Sequence, residues 1–257
     1  MNYGISALSI VALRSEPSHK SEMVSQLLFG ETIEVLSSQN EWVRVKCSYD
    51  GYEGWMLQTH YVKLNLSEFQ EVNRIKPHLC FDLVQILINE NSIYSIVLGS
   101  NLPWFWGNTC RISGANYVFD GNAKLPDMQN GSQTIIENAY MYLNAPYLWG
   151  GRSPFGIDCS GFTQMVFKLC GMSLKRDAWM QAEQGESIHL LDEAQPGDLV
   201  FFDNEEGKIT HVGILTAKNK IIHASGKVRV DNIDHQGIYN NETRKYTHNL
   251  RLIRRLF

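Results

Sequence analysis

The sequence has few charged residues and no strong excess of either sign. Charged side chains make up 19% of the 257 residues, and the formal net charge is −4. This slight acidity argues against nucleic acid or an anionic membrane surface as the partner. No apolar run approaches the roughly 18 residues that a membrane-spanning helix needs. The chain is therefore expected to bind neither nucleic acid nor membrane.

The N-terminus lacks the basic stretch that opens a secretory signal peptide. Met1-Asn2-Tyr3-Gly4-Ile5 carries no Lys or Arg, and Ser6 and Ser9 interrupt the apolar residues that follow. This pattern is typical of a first β-strand. The chain as given is expected to be cytoplasmic.

Cysteine is present without the spacing of a disulfide framework or a zinc site. The five cysteines include no C-x-x-C pair, and none stands at zinc-ligand spacing from a histidine. Neither a metal nor an organic cofactor is expected. Four of the cysteines have apolar neighbours, which is typical of buried small hydrophobic residues: Cys47, Cys80, Cys110 and Cys170. Cys159 has different neighbours.

The first half of the chain consists of short strand-like runs separated by turn residues. In residues 1–64 these runs predict a small all-β barrel, with a hairpin at Asp50-Gly51. Residues 65–78 are polar and lack clear periodicity, so they are predicted to be a linker. Residues 79–127 are again rich in strand-like runs, and they predict either a second barrel-like domain or a long β-rich insertion.

From residue 128 to 257 the pattern changes to helices followed by strands. A first helix is predicted over Ile135 to Leu143, capped by Ser132 or Thr134. A second begins at the Asp158-Cys159-Ser160-Gly161 turn and ends at Gly171. Helices that precede antiparallel strands predict an α+β domain. The strands are expected at Leu199–Phe202, His211–Leu215, Lys220–His223, Arg229–Asp231 and Leu250–Leu256.

Cys159 stands at the first turn of the predicted second helix, where backbone N–H groups favour a thiolate. This position predicts that the pKa of the thiol falls below its free value of about 8.5. Such a nucleophile needs a base, and His211 and His223 bound two predicted neighbouring strands. An odd-length turn within Thr216–Lys220, or a bulge, would place both imidazoles on one face of the sheet, whereas a strict turn at Lys218-Asn219 would separate them.

Each of these residues taken alone is more often structural than catalytic. Their conjunction resembles the NlpC-type, papain-like cysteine peptidases of bacterial cell walls, and residues 1–64 resemble the bacterial Src-homology-3-like domains of such enzymes. The matching segments occur in family order: Pro146-Tyr147-Leu148-Trp149-Gly150-Gly151, Asp158-Cys159-Ser160-Gly161-Phe162, Pro196-Gly197-Asp198-Leu199-Val200-Phe201-Phe202, Thr210-His211-Val212-Gly213-Ile214 and Ile222-His223-Ala224-Ser225. The resemblance implies a papain-like α+β catalytic domain, with helices packed on an antiparallel sheet.

The resemblance also implies a role for each residue of the catalytic constellation. Cys159 would be the nucleophile, His211 the base, and His223 the residue that orients the base. Tyr147 would place its hydroxyl near the oxyanion; its alternative role is an aromatic wall of the cleft. Activity is then expected to fall as the pH drops through the titration of the thiolate–imidazole pair.

Family members cleave peptidoglycan stem peptides between γ-D-glutamate and a diamino acid such as meso-diaminopimelate, and those with this N-terminal barrel tend to require a free L-alanine amine. The resemblance therefore predicts a monomeric peptidase acting in murein peptide recycling. It assigns substrate binding to Asp158, Ser160, Arg176, Asp177, Tyr52 and Glu22. Ala178 replaces a serine that family members often carry, so one substrate hydrogen bond is expected to be absent or supplied elsewhere.

Two other functions are compatible with the same residues. The first is acyl transfer, or another amidase reaction on this fold, because nucleophile and base would be shared. The second is binding of wall peptides by a protein whose catalytic domain is inert; the intact set of Cys159, His211 and His223 argues against it.

Overall fold

The computed structural model describes residues 2–90 and 92–257, so Met1, the start of the N-terminus analysed above, lies outside it. The chain forms two compact units. The first contains Met1–Pro126 and Gly150–Pro154, and the second contains Asp127–Trp149 and Phe155–Phe257. Among the described residues, none of the helices has the length and apolar character that a membrane crossing requires.

A seven-stranded antiparallel sheet opens the first unit, with the strand order β3-β2-β6-β5-β4-β1-β7. Its apolar side chains, among them Leu13, Ile33 and Val45, enclose one core. The predicted hairpin at Asp50-Gly51 is confirmed, because β5 and β6 pair on either side of it and Gly51 adopts a φ of 76°. The strands are β1 (Asn2–Ile5), β2 (Ile10–Arg14), β3 (Met23–Leu28), β4 (Thr32–Gln39), β5 (Trp42–Cys47), β6 (Glu53–Leu57) and β7 (Val62–Leu64).

A helix, α1 (Leu66–Arg74), occupies most of the segment predicted to be a linker. Its start is a capping box, in which the Asn65 side chain accepts a hydrogen bond from the Glu68 N–H and the Glu68 carboxylate accepts one from the Asn65 N–H. Phe69 stacks on Tyr3 with 4.2 Å between the ring centroids. Val72 packs against the same core as Phe69, so the helix follows from local capping and from two apolar residues on one face.

The remaining strands of the first unit form a four-stranded sheet, β10-β9-β13-β12, and a three-stranded sheet, β11-β8-β14. One core joins side chains from both predicted β-rich segments, for example Phe29 with Leu87 and Phe119. The strands are β8 (His78–Cys80), β9 (Val84–Asn89), β10 (Ser92–Val97), β11 (Asn101–Leu102), β12 (Thr109–Ile112), β13 (Ala115–Phe119) and β14 (Ala123–Lys124).

The short strand β15 (Arg152–Ser153) also belongs to the first unit. The Arg152 guanidinium donates hydrogen bonds of 2.8 and 3.0 Å to the two carboxylate oxygens of Glu31. It donates a third, of 2.6 Å, to the carbonyl oxygen of Gln26. Both side chains of this ion pair are only 2% exposed. The segment 150–154 is thus anchored by a buried ion pair.

In the second unit, three helices precede a seven-stranded antiparallel sheet of order β17-β23-β18-β19-β20-β21-β22, in which β23 also pairs with β22. Helix α3 packs against β19 and β20. The elements are α2 (Ser132–Tyr140), β16 (Gly156–Ile157), α3 (Cys159–Leu169), α4 (Ala178–Gln181), β17 (Glu186–Ile188), β18 (Leu199–Asp203), β19 (Ile209–Ala217), β20 (Lys220–Ser225), β21 (Lys227–Ile233), β22 (Gly237–Asn240) and β23 (Lys245–Arg255).

Several boundaries in the second unit differ from the prediction, and two of them are informative. Gly131, rather than Ser132 or Thr134, occupies the N-cap of α2, with a positive φ of 58° that suits glycine. Strand β23 begins at Lys245, five residues before the predicted Leu250, and so includes His248. The second difference matters for the site, because it brings another histidine into the sheet.

Candidate active site

Cys159 is the first residue of α3, and Asp158 is its N-cap. The Asp158 carboxylate accepts a hydrogen bond of 2.6 Å from the Gly161 N–H, which satisfies one of the unpaired amides of the helix start. The Cys159 side chain is buried, and its Sγ lies 4.0 Å from the carbonyl oxygen of Thr210, the residue before His211. The helix thus presents the thiol to the backbone of β19.

Burial raises the pKa of the Cys159 thiol to about 12, and the charge of Asp158 adds to the rise. Arg176 and two backbone hydrogen bonds act in the opposite direction without reversing it. The predicted lowering of this pKa by the helix start is therefore wrong for the substrate-free protein. The free-energy cost of removing a thiolate from water exceeds the stabilisation that the helix terminus provides. The resting side chain is a neutral thiol.

His211 and His223 lie on the same face of the sheet because β19 contains a bulge. The chain turns at Lys218-Asn219, with Ala217 opposite Lys220, and the register then shifts between Leu215 and Ala217. Beyond this bulge Gly213 pairs with His223, which places the side chains of residues 211, 213 and 223 on one face. A β-carbon added at Gly213 would lie 2.9 Å from that of His223, so this position requires glycine.

A chain of hydrogen bonds connects the two histidines to an acid. His211 Nε2 lies 2.9 Å from His223 Nδ1, and His223 Nε2 lies 3.0 Å from Asp231 Oδ2. The Asp231 carboxylate accepts two further hydrogen bonds from the Arg229 guanidinium, of 2.7 and 3.0 Å. We call His211, His223 and Asp231 the histidine relay. All three side chains are buried.

The relay determines where the protons reside. An ionised carboxylate only accepts hydrogen bonds, so His223 carries its proton on Nε2 and accepts at Nδ1. His211 then carries its proton on Nε2, which leaves its Nδ1 as the free base. Burial, together with His248 and His223, holds the pKa of His211 well below its usual value. His211 is thus neutral and able to accept a proton from a thiol.

Tyr147 lies beside Cys159 and keeps its proton. Burial raises the pKa of its phenol to about 12, and the charges of Cys159 and Asp158 act in the same direction. Its backbone N–H donates a hydrogen bond of 3.0 Å to the carbonyl oxygen of Gly226, which ties the residue to the loop after β20. A protonated phenol at this place can donate a hydrogen bond to an oxyanion.

Asp158, Ser160 and Arg176 form one buried network behind the nucleophile. The Arg176 guanidinium contacts both carboxylate oxygens of Asp158, at 3.0 and 2.6 Å, and donates to the Ser160 hydroxyl at 3.0 Å. Arg176 is only 1% exposed. The structure therefore gives the guanidinium a positioning role toward Asp158, whose negative charge it neutralises. Asp177, at the N-cap of α4, is half-buried.

The other two predicted substrate contacts belong to the first unit. Glu22 is exposed just before β3, and its carbonyl oxygen accepts a hydrogen bond from the Ser15 N–H. Tyr52 is half-buried at the start of β6, and its N–H donates to the Asp50 carboxylate at 2.9 Å. The roles of Glu22 and Tyr52 in substrate binding stay predictions.

The chain has sequence relatives among bacterial dipeptidyl-peptidases. A model of the NlpC/P60 family matches residues 144–247, and one described as the bacterial dipeptidyl-peptidase Sh3 domain matches residues 13–60. The γ-D-glutamyl-L-lysine dipeptidyl-peptidase of Bacillus subtilis (strain 168) is 35% identical over 217 residues, covering 78% of this chain and 71% of that protein. The chain belongs to the NlpC/P60 family.

Two further matches cover nearly the whole chain. Dipeptidyl-peptidase 6 of Lysinibacillus sphaericus is 26% identical and covers 87% of this chain and 89% of that protein. The crystal structure of an NlpC/P60 family protein from Bacillus cereus has a TM-score of 0.83 at 22% identity, over 98% of this chain and 99% of that one. The chain has the NlpC/P60 fold with an N-terminal strand-rich region, and it is a cysteine peptidase.

Three residues beside the histidines of this NlpC/P60 peptidase have no assigned role in the sequence prediction. Arg229 and Asp231 stand on the same face of β21 as His223 does on β20, because His223 pairs directly with Arg229. Because side chains alternate between the two faces of a strand, the predicted strand could have placed Arg229 and Asp231 together on one face. His248 on β23 stacks on His211 with 4.0 Å between the ring centroids and 27° between their planes. Nothing in the sequence pattern indicates this contact.

His211, His223 and His248 offer ligand atoms that lie within 4.8 Å of one another, a spacing compatible with a metal site. The orientations of these three rings do not suit a metal ion. His211 and His223 point their nitrogens at each other, 2.9 Å apart. The rings of His211 and His248 are stacked in nearly parallel planes, and the lone pair of each ring lies in its own plane. The two rings therefore cannot bind one ion unless one of them turns. These imidazoles fit a proton relay better.

Proposed function

We propose that this NlpC/P60 peptidase hydrolyses the bond between γ-D-glutamate and a diamino acid in peptidoglycan stem peptides whose N-terminal L-alanine is free. In this proposal Cys159 is the nucleophile, His211 the base and His223 the residue that orients the base. The observation that carries it is the histidine relay, which holds a neutral His211 on the strand whose preceding residue, Thr210, contacts the Cys159 thiol. We also propose that residues 128–257 form a papain-like catalytic domain, preceded by a barrel at 1–64 and a second barrel-like domain at 79–127, with 65–78 between them.

The proposed reaction starts from a neutral thiol and a neutral imidazole. His211 Nδ1 takes the thiol proton as Sγ attacks the γ-carbonyl carbon, and the resulting imidazolium is stabilised through His223 by Asp231. The Cys159 N–H and the Tyr147 hydroxyl donate to the oxyanion. The C–N bond then breaks, and His211 protonates the leaving amine. Water attacks the thioester, gives its proton to His211, and the thiol is regenerated.

The proposed substrate carries an ammonium group on its L-alanine, which needs carboxylate or neutral acceptors when buried. The charge of Asp158 is already balanced by Arg176. Asp158 and Ser160 can therefore supply hydrogen-bond acceptors, while a net negative charge has to come from another group. We propose that Asp177 supplies it within the second unit; Glu22 and Tyr52 of the first unit stay predicted substrate contacts.

Two diamino acids are candidates for the other side of the bond. We propose meso-diaminopimelate from the motif resemblance, whereas the name of the Bacillus subtilis relative favours L-lysine. Mass spectrometry of products from L-Ala-γ-D-Glu-meso-diaminopimelate and from its L-lysine analogue decides between them. Release of L-Ala-D-Glu from either peptide supports the proposed bond, and release from neither contradicts it. An N-acetylated analogue that is cleaved equally well would contradict the requirement for a free amine.

We further propose that the enzyme is a cytoplasmic monomer that recycles murein peptides. Within the described residues, which include all five cysteines, every thiol is free, as suits a reducing compartment. Cell fractionation with an antibody tests the location, and light scattering of the purified chain tests the monomer. Enzyme in the culture supernatant or in washed cell walls would contradict the recycling role, as would cleavage of intact sacculi without cleavage of free stem peptides.

A further inference from the structure

The imidazole of His211 is held by contacts on two neighbouring strands besides its hydrogen bond to His223. His248 on β23 covers one face of the ring, at 4.0 Å between centroids and 27° between planes. Phe202 on β18 contacts both rings, at 5.8 Å from each centroid. His248 also meets His223 edge-on, at 5.7 Å and 83°. The base therefore lies against a small aromatic cluster made of His248 and Phe202.

A second bulge places His248 in this cluster. Phe201 pairs with Leu252, but Phe202 pairs with Leu250, so Arg251 is the extra residue of β23. Directly paired residues share a face, and His248 therefore lies on the same face as Phe202 and its other partner, His211. Without the bulge, Asn249 would take that face. Thr247 Oγ1 lies 2.9 Å from His248 Nδ1 and fixes the orientation of the His248 ring.

We propose that His248 is a positioning residue of this peptidase, whose ring stacks on His211 and holds the base in the plane that the histidine relay requires. The inference rests on the proposed function of His211 as the base. Stacking restricts rotation of the His211 ring, which otherwise has a single hydrogen-bond partner on Nε2. It also covers one face of the ring, which would otherwise admit water. A small error in the orientation of a catalytic group is costly, on the order of 100-fold in rate for a displacement of about 1 Å.

The charges around His211 are consistent with this role. The titratable side chains that face it are His223 on β20 and His248 on β23, and Cys159 at the start of α3 is its proposed proton donor. Phe202 on β18 is uncharged. Burial and the charge of His223, opposed by the charge of Asp231, lower the pKa of His248 to about 4, so its ring is neutral when His211 becomes an imidazolium. A neutral ring can stack on that cation without repelling it.

The test compares His248→Ala, His248→Phe and, as a control, His235→Ala, which removes an exposed histidine of the same unit. For His248→Ala we expect kcat to fall about 10- to 100-fold with KM changed less than about threefold. The acid limb of kcat/KM should move to higher pH, because water reaching His211 restores its protonation. His248→Phe should recover most of kcat, and His235→Ala should match the wild type.

Two results for His248→Ala would overturn the proposal. One is a folded His248→Ala variant with unchanged kcat and acid limb. The other is a variant whose KM rises while kcat is kept, which would make His248 a substrate contact. Failure of His248→Phe to restore kcat would likewise reject stacking as the mechanism. NMR titration of the His211 ring proton in each variant needs no substrate: a His211 pKa that rises in His248→Ala and returns in His248→Phe supports the proposal even if the proposed substrate proves wrong.

Discussion

His223 Nε2 lies 3.0 Å from Asp231 Oδ2, and this contact sets the proton positions of both histidines in the relay. Because the carboxylate can only accept, His223 is left with a lone pair on Nδ1 for the N–H of His211. Arg229 keeps Asp231 ionised, since its guanidinium helps to hold the pKa of that carboxyl below the ordinary value despite burial. An acid on β21 thus determines which nitrogen of His211, on β19, acts as the base.

Asp231→Asn should lower kcat/KM strongly while leaving the fold intact. An amide can donate to His223 Nε2 and so permit the other tautomer, which no longer accepts from His211. By analogy with orienting acids of other catalytic triads, we expect a loss of about 10²- to 10⁴-fold. Asp234→Asn, in the turn between β21 and β22, is the matched control. A loss of less than threefold in Asp231→Asn would show that the relay is not needed.

The pH profile of kcat/KM should have its acid limb below pH 6.5. Burial and two neighbouring histidines lower the pKa of His211, so it stays neutral and active at pH 6.5 and loses activity only as the pH falls through that lowered pKa. This revises the expected thiolate–imidazole titration. Since the thiol pKa is raised to about 12, activity should not climb between about pH 7 and 9 as a thiol of pKa about 8.5 would require. An acid limb at or above pH 6.5 would contradict the account. The control is His189→Ala, which removes an exposed histidine and should keep the wild-type profile.

Glu31→Ala should destabilise the first unit by about 3–5 kcal/mol, because it leaves the buried Arg152 guanidinium without its carboxylate. Glu53→Ala is the comparison, since its ion pair with Arg44 has side chains 39% and 51% exposed. That pair should contribute less than about 1 kcal/mol. Urea unfolding of the full chain, followed by tryptophan fluorescence, measures both. Equal effects of the two substitutions would contradict the importance of the buried pair.

Chelation by EDTA should leave activity unchanged, whereas Cys159→Ala should abolish it. The proposed reaction uses a thiol and an imidazole, and the orientations of His211, His223 and His248 do not suit an ion. Peptide cleavage after dialysis against EDTA tests this. Activity that disappears on chelation and returns with Zn²⁺ would mean that the three imidazoles turn to bind a metal.

Much of this site could be predicted from the sequence, because the motifs around Cys159, His211 and His223 are local. Their shared face could not, since the sequence allows several turns and the bulge between Leu215 and Ala217 decides among them. The same is true of His248, which depends on the bulge at Arg251.

The properties that depend on burial were also beyond the sequence pattern. A helix start predicts a thiolate at Cys159, but the surrounding protein removes water and reverses the direction of the shift. Helix α1 is a different case, because its capping residues Asn65 and Glu68 and its apolar residues Phe69 and Val72 are local in the sequence, so this helix could have been predicted. Register and solvent exclusion are tertiary properties, whereas caps and motifs are not.

The most direct test of the central claim is to identify the residue that carries the acyl group during turnover. The enzyme is mixed with excess L-Ala-γ-D-Glu-diamino acid peptide, quenched in acid, digested and analysed by tandem mass spectrometry. The account predicts an L-Ala-D-Glu acyl group on Cys159, and neither acyl group nor cleavage in Cys159→Ala. Cleavage by Cys159→Ala at the wild-type rate, or an acyl group on another residue, would contradict it.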